Sequence, residues 1–346
     1  TGPIFLSGLL FRKEQYKMGK YLRKKLMIYI ITFILAVTIN FIIPRMMPGD
    51  PIQSLLSRFS GMEGGRQILE EQLTLLFNLD QPVWQQYLNF WKSVFTLDFG
   101  ISIIQFPTPV IDIIKRAIVY DLSVLFPAII LSWIVGNKLG AYSGTDKKVD
   151  NASMPFFYFL ASSPYFWMAG LVAFFFGVVL QWFPISGAYS AVASPALSWN
   201  FIKNFLHHWF LPFFTMFLVQ LGGWAIGMRN MIMYEKSSNY SKYMETLGSS
   251  KKLIRKYGFR NGVLPQVTGL ALRIGRIVGG AITVQVVFNY PGLGRMLLDA
   301  VQNQDYFLMQ GIFLTIVTMV LVANFVVDIV YMFIDPRVRL SFTEEV

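Results

Sequence analysis

Residues 240–265 read YSKYMETLGSSKKLIRKYGFRNGVLP, a polar and basic insert between two apolar runs. Lys242, Lys251, Lys252, Arg255, Lys256 and Arg260 crowd into it, Gly248 interrupts it, and Pro265 closes it. Tyr240, Tyr243, Met244 and Leu247 recur at helical spacing, as do Leu253, Ile254 and Tyr257 beyond the glycine. The stretch therefore predicts two short amphipathic helices joined at Gly248. Taken alone it fits two readings: a membrane-surface loop whose lysines set topology, or a platform that docks a partner.

The rest of the chain supplies the context. Of 346 residues, 54% are hydrophobic and only 14% charged, against about 25% charged in an ordinary soluble domain. That composition predicts a membrane protein. The net charge of +11 does not point to nucleic acid, because the basic residues sit in short segments between apolar runs, as they do when they fix membrane orientation. The absence of cysteine excludes a disulfide framework and a thiolate metal site. His207 and His208 are adjacent, lack further ligands at metal-binding spacing, and read as interfacial residues at the start of a span.

Six apolar runs are long enough to cross a bilayer: Leu26–Met46, Ile118–Tyr142, Met154–Leu180, Trp209–Met233, Leu264–Phe288 and Met309–Ile334. Pro127, Pro164 and Pro212 fall inside them, where kinks are tolerated. Lys20, Arg23, Lys24 and Lys25 precede the first run, which lacks a cleavage site and is not a signal peptide. Residues 1–25 form an N-terminal cytoplasmic segment; within it Thr1–Lys17 is poorly specified, and Met18 is a candidate start. Residues 47–117 read as an external cap with short amphipathic helices at Glu70–Phe77 and Pro82–Phe95. Residues 118–340 form the five-helix core with its loop at 234–263, and 341–346 a tail. Lys and Arg concentrate in the segments on the N-terminal side of the membrane, so the loop at 234–263 and both termini are predicted to be cytoplasmic.

Specific motifs punctuate this frame. They are Met47-Pro48-Gly49-Asp50-Pro51, Leu79-Asp80-Gln81-Pro82, Gln86-Tyr87-Leu88, Leu97-Asp98-Phe99-Gly100-Ile101-Ser102, Ser163-Pro164-Tyr165-Phe166-Trp167, Phe288-Asn289-Tyr290-Pro291-Gly292-Leu293-Gly294-Arg295 and Asp335-Pro336-Arg337-Val338-Arg339-Leu340. Each alone is weak; together and in order they are specific. From Met18 to Leu340 the chain resembles the membrane permease subunits of ABC importers, in the dipeptide and oligopeptide branch and of the B type.

The resemblance implies an all-α polytopic membrane protein with six transmembrane helices of the type I ABC importer kind. It implies a cytoplasmic coupling helix, an extracellular cap after the first helix, and a place in the prokaryotic plasma (inner) membrane. It maps ATPase coupling onto Tyr240, Tyr243, Met244, Glu245, Leu247 and Gly248. Lys242-Tyr243-Met244 stands where many importers have Glu-Ala-Ala, while the later glycine is kept. The implied partners are a second, non-identical permease subunit, two cytoplasmic ATPase subunits, an extracellular substrate-binding protein and the lipid membrane, with no nucleic acid. No Gly-x-x-x-x-Gly-Lys-Ser/Thr pattern occurs, so ATP and Mg are expected at the partner ATPases and no cofactor or metal on this chain, which is not itself an enzyme. Peptides are the expected substrates; oligosaccharides and nickel chelates are the alternatives within the same architecture. A secondary transporter would need coupling-ion sites and usually inverted repeats, and neither is visible.

Charges inside the runs are costly, at about 2.5–3.5 kcal/mol each on insertion scales. Asp121, Arg273, Arg276 and Asp328 are such residues. Arg273 and Arg276 are one turn apart and share a face. Counting from Leu264, Arg273 lies roughly 14 Å along its helix, near the middle of the bilayer. The pair either locks the bundle by pairing with Asp121 or Asp328, or lines the pathway together with Gln285. Asn324 and Asp328 form a polar stripe suited to helix–helix contact. Gly275, Gly279 and Gly280 permit close packing beside the arginines.

Overall fold

The structure, a computed structural model, describes residues 2–46, 81–190, 193, 195 and 198–334; at 2–21, 264, 268, 271–280, 327 and 330–334 it describes the backbone only. Among the described residues every regular element is helical, and the one β-type pairing is an isolated antiparallel bridge between Ile101 and Pro109. The helices are α1 (Gly2–Met46), α2 (Val83–Thr96), α3 (Val110–Thr145), α4 (Lys147–Ser162), α5 (Tyr165–Val172), α6 (Trp199–Ser237), α7 (Asn239–Thr246), α8 (Lys251–Val287), α9 (Leu293–Gln302) and α10 (Tyr306–Ile334). A π-helical turn, Ala173–Val179, continues α5. The motifs at Met47–Pro51, Leu79-Asp80 and Asp335–Leu340, the helix expected at Glu70–Phe77 and the tail lie outside the described residues.

Four described stretches are long and apolar enough to cross a membrane: Leu22–Met46, Val110–Thr145, Trp199–Ser237 and Tyr306–Val326. A fifth arises if Lys147–Ser162 and Tyr165–Val179 form one broken span. The chain is a multi-pass helical membrane protein. The break corrects the expectation of a merely kinked span at Met154–Leu180, because the two halves meet at 110°. Its cause is local. Ser163 leaves helical geometry with ψ 127°, and Pro164 follows with ψ 143° as the N-cap of α5. Proline disfavours helical geometry in the residue before it and has no N–H to continue the ladder.

The centre of the bundle is the pairing of α3 with α6. Gly136, Gly140 and Gly144 follow one another every four residues along one face of α3. A Cβ on Gly136 would lie 2.7 Å from Trp224 Cβ and 2.9 Å from the Leu221 carbonyl; one on Gly144 would lie 2.8 Å from Ile232 Cβ; one on Gly140 would strike the Ala225 backbone. The glycines thus let two backbones meet, which is how helices gain dispersion contact where no hydrophobic drive exists. Gly222 repeats the device from α6 towards Phe157 and Ala161 of α4. Around this seam Leu125, Leu160, Met168, Leu211, Met216 and Phe288 build one apolar cluster. A second, around Val37, Phe90, Ile113, Leu293 and Ile312, joins α1 and α2 to α3, α9 and α10.

Polar contacts fix the ends. Lys25 Nζ reaches Asp328 Oδ2 at 3.0 Å, and Tyr29 Oη donates to the same oxygen at 2.7 Å, tying α1 to α10. Arg229 on α6 donates through Nε to Asp150 Oδ1 at 2.8 Å and through Nη2 to Oδ2, holding α4 in a bidentate grip. His207 and His208 lie inside α6, which begins at Trp199, ahead of the apolar run expected from Trp209. His207 contacts the Trp182 carbonyl and His208 the Asn204 carbonyl.

Candidate functional site: the braced loop helix and the α9 junction

The loop between α6 and α8 is ordered by three short-range devices. Ser238 breaks α6 with ψ 153° and serves as N-cap of α7. Gly248 then takes φ +72°, the left-handed turn that ends a helix at low cost only for glycine. Its N–H and that of Ser249 return to the carbonyls of Glu245 and Met244, at 2.9 and 3.0 Å. Ser250 caps α8, its Oγ accepting from Leu253 N at 3.3 Å. The expected second short helix does not exist as a separate element. From Lys251 the chain runs through Pro265 to Val287 as one helix. The apolar positions Leu253, Ile254 and Tyr257 are therefore the first turns of a long helix.

The six residues mapped onto coupling divide into two faces. Tyr240 turns inward, and its hydroxyl donates to Glu235 Oε2 on the last turn of α6 at 2.5 Å. Asn261 Nδ2, on α8, donates to the same carboxylate oxygen at 2.9 Å and to the Tyr240 hydroxyl at 3.2 Å. One carboxylate thus joins α6, α7 and α8. Burial, then the Glu235 carboxylate, holds the Tyr240 hydroxyl above its ordinary pKa, so it stays a donor at neutral pH. Met244 is half-buried on this side. Tyr243 and Leu247 point the other way, each 66% exposed, with Glu245 and Gly248 also exposed. The sequence expectation of one apolar face containing Tyr240, Tyr243, Met244 and Leu247 is thus refined: Tyr240 is tied to α6 and α8 and Met244 is half-buried, while Tyr243 and Leu247 are exposed.

The second site is the junction of α3, α8 and α9. Gln285 is buried at 6% exposure. Its Nε2 donates to Asp121 Oδ1 at 2.6 Å, and its Oε1 accepts from Gly294 N at 2.8 Å and Arg295 N at 3.3 Å. Asp121 Oδ2 accepts from Leu293 N at 3.2 Å. The carboxylate thus meets the start of α9, where free N–H groups and the helix dipole favour an anion. Gly292 has an extended conformation open to any residue, with φ −90° and ψ 176°. Glycine is needed there for space, since a Cβ would strike Asp121 Oδ1 and the Gln285 amide. Tyr290 is fully buried, its hydroxyl 3.2 Å from Ser123 Oγ. The motif at Phe288–Arg295 is therefore a latch of α9 onto α3.

Both ends of the Gln285 amide, a residue expected on the pathway, are used in hydrogen bonds inside the chain. The backbones of Arg273 and Arg276 lie in α8, while their side chains, and the surroundings of Gly275, Gly279 and Gly280, lie outside the described residues. The acids considered as lock partners have other described contacts, Asp121 with Gln285 and Leu293, Asp328 with Lys25 and Tyr29. A second latch was not read from the sequence. Asp305 is fully buried ahead of α10. It accepts from Ser102 Oγ at 2.6 Å, Ile104 N at 3.0 Å and Leu308 N at 3.0 Å. Burial pushes its carboxyl above the usual range. The motif ending at Ser102 thereby holds the α2–α3 turn against α10. The available signal was an aspartate three residues ahead of Leu308, at an N-cap position.

Residues 123–340 match the family described as the binding-protein-dependent transport system inner membrane component. The glutathione transport system permease protein GsiC of Escherichia coli (strain K12) is 30% identical over 325 residues, covering 93% of this chain and 99% of that protein. The dipeptide transport system permease protein DppB of the same strain is 28% identical, covering 93% and 99%. The oligopeptide transport system permease protein AppB of Bacillus subtilis (strain 168) is 26% identical, covering 89% and 96%. The match takes in α8, the α9 latch and the braced loop helix: the chain belongs to the family of binding-protein-dependent transport system inner membrane components.

Proposed function

We propose that this chain is the permease subunit of an ATP-driven importer that carries peptides across the prokaryotic plasma (inner) membrane. The carrying observation is α7, a short helix braced to two long ones by Glu235, Tyr240 and Asn261, with Tyr243 and Leu247 turned outward. A rigid element of this kind transmits motion between a soluble partner and the spans. In this reading the loop and both termini are cytoplasmic, two ATPase subunits supply ATP and Mg, and one of them receives Tyr243 and Leu247. A second, non-identical permease completes the pathway, and an extracellular binding protein delivers the substrate.

Peptides are favoured because the three relatives above are named for oligopeptide, dipeptide and glutathione transport, glutathione itself being a tripeptide. Oligosaccharides and nickel chelates find no such support among these relatives. In this reading Arg273 and Arg276 line the pathway, where two guanidinium groups would attract a peptide carboxylate and repel small cations. The test is uptake of a labelled peptide into vesicles holding this chain, its partner permease and the ATPases, with binding protein outside. Uptake that requires both ATP and binding protein supports the proposal. Uptake that persists without the ATPases contradicts it. In the same assay, Arg273→Gln with Arg276→Gln should lower uptake at unchanged melting temperature; unchanged uptake removes the arginines from the pathway.

A further inference from the structure

An open cavity of about 560 Å³ lies between the last turns of α3 and the first turns of α8, beside α7 but distinct from its outward face. Lys138 and Tyr142 line it from α3, and Lys252, Arg255, Lys256 and Phe259 from α8. Four cations thus converge from segments more than a hundred positions apart, and no carboxylate lines the cavity. Among the described residues none of the four is in an ion pair. The Arg255 guanidinium instead lies 4.8 Å over the Tyr142 ring, which holds it in place and leaves its donors free. The start of α8 adds the positive end of a helix dipole.

We infer that this cavity binds the headgroup of an anionic phospholipid. The lining is amphiphilic in the sense such a ligand needs: lysines and an arginine for a phosphate, and Ala141, Tyr142, Leu253 and Phe259 for the glycerol and upper acyl carbons. The position fits as well. Leu139 and Tyr142, 42% and 49% exposed on α3 and the latter part of the lining itself, add apolar surface to it, and in the proposed orientation this end of the span Val110–Thr145 lies at the membrane edge, within reach of a lipid. Basic residues beside such an edge attract anionic lipid, and do so over only a Debye length. A lipid here would set how firmly α8 is held against α3, next to the element that meets the ATPase. The inference rests on the proposed function for its orientation and for the ATPase-bound assembly used in its test, but the readout, lipid retained on the permease, does not depend on transport.

The assembled importer, purified in uncharged detergent, is titrated with phosphatidylglycerol or phosphatidylcholine, and lipid retained on the permease is read by native mass spectrometry. The wild type should retain phosphatidylglycerol at least tenfold better, with the preference fading as salt is raised. Lys138→Gln with Arg255→Gln and Lys256→Gln should reduce the preference to within twofold, and Lys138→Gln alone should reduce it about threefold. Lys115→Gln with Arg116→Gln, at the other end of α3, should leave it intact. A preference unchanged in the triple variant overturns the inference. Displacement of the lipid by an equal concentration of glycerol 3-phosphate also overturns it, since the site would then serve a free phosphate. So does a preference present in the isolated permease and absent once the ATPases are bound, because an acidic protein surface would then be the occupant.

Discussion

At the α9 junction, Asp121, Gln285 and the backbone of Leu293–Arg295 spend their hydrogen bonds on one another inside the protein. At α7, Tyr243 and Leu247 each leave 66% of their surface in the open while one carboxylate, Glu235, ties the helix to its neighbours. The first region is complete within the chain. The second is stiff on one side and unfinished on the other, which is the form expected of a surface that a partner completes. A latch of buried, satisfied polar groups specifies one arrangement, and exposed apolar side chains on a fixed helix give a partner something to bury.

The two regions should respond differently to the same kind of change. Gly292→Val forces a side chain into the Asp121 carboxylate and the Gln285 amide. Overpacking of this sort costs about 3 kcal/mol, so melting temperature and membrane yield should fall sharply, and a variant as stable as the wild type would break the account of the latch. Asp305→Ala strands Ser102 Oγ and the N–H groups of Ile104 and Leu308. Its cost is about 2–3 kcal/mol, again read by thermal unfolding. Gly248→Ala, by contrast, meets no atom within 4 Å. It bears only the left-handed backbone penalty of about 1 kcal/mol, so global melting should barely move while hydrogen exchange at residues 246–249 quickens.

A smaller effect belongs to the α3–α4 turn. The N–H groups of Lys148 and Val149, followed by nearby lysines, hold the Asp146 carboxyl below its usual range. Its folded pKa lies under its unfolded one, so its contribution is present above the ordinary carboxylate range and is lost as pH falls through the folded value. Amide protection at residues 147–150 should therefore drop below about pH 4 and show no such step in Asp146→Ser, which keeps a neutral cap. A pH-independent wild type would remove this cap from the picture.

Much of this was legible in the residues. The basic stretch at 240–265, its glycine and its helical spacing located α7 and its end. Spacing alone, however, puts Tyr240 on the same stripe as Tyr243 and Leu247; which side faces home depends on Glu235 and Asn261, brought together only when α6 and α8 pack. The 110° break at Ser163-Pro164 reads in sequence as an ordinary proline kink, because the sequence does not show that Ser163 and Pro164 both take extended ψ values. Gln285 was expected on the pathway because it shares a run with the arginines; its bridge from Asp121 to the start of α9 was not legible, because it joins positions 164 apart in sequence. The glycines at 136, 140 and 144 carry the α3–α6 seam and their fourfold spacing was the missed signal; the expectation of close packing fell instead on the glycines at 275, 279 and 280, beside the arginines.

The central claim is that Tyr243 and Leu247 are the contact through which ATP hydrolysis is coupled to this permease. Its most direct test is substrate-stimulated ATP hydrolysis by the assembled importer carrying Tyr243→Asp with Leu247→Asp. Burying a side chain of this size is worth about 1.5–3 kcal/mol, and a carboxylate in its place turns that gain into a penalty. The account predicts that stimulation falls to the basal rate, while melting temperature and membrane insertion of the permease stay those of the wild type. Wild-type stimulation in the double variant would contradict it.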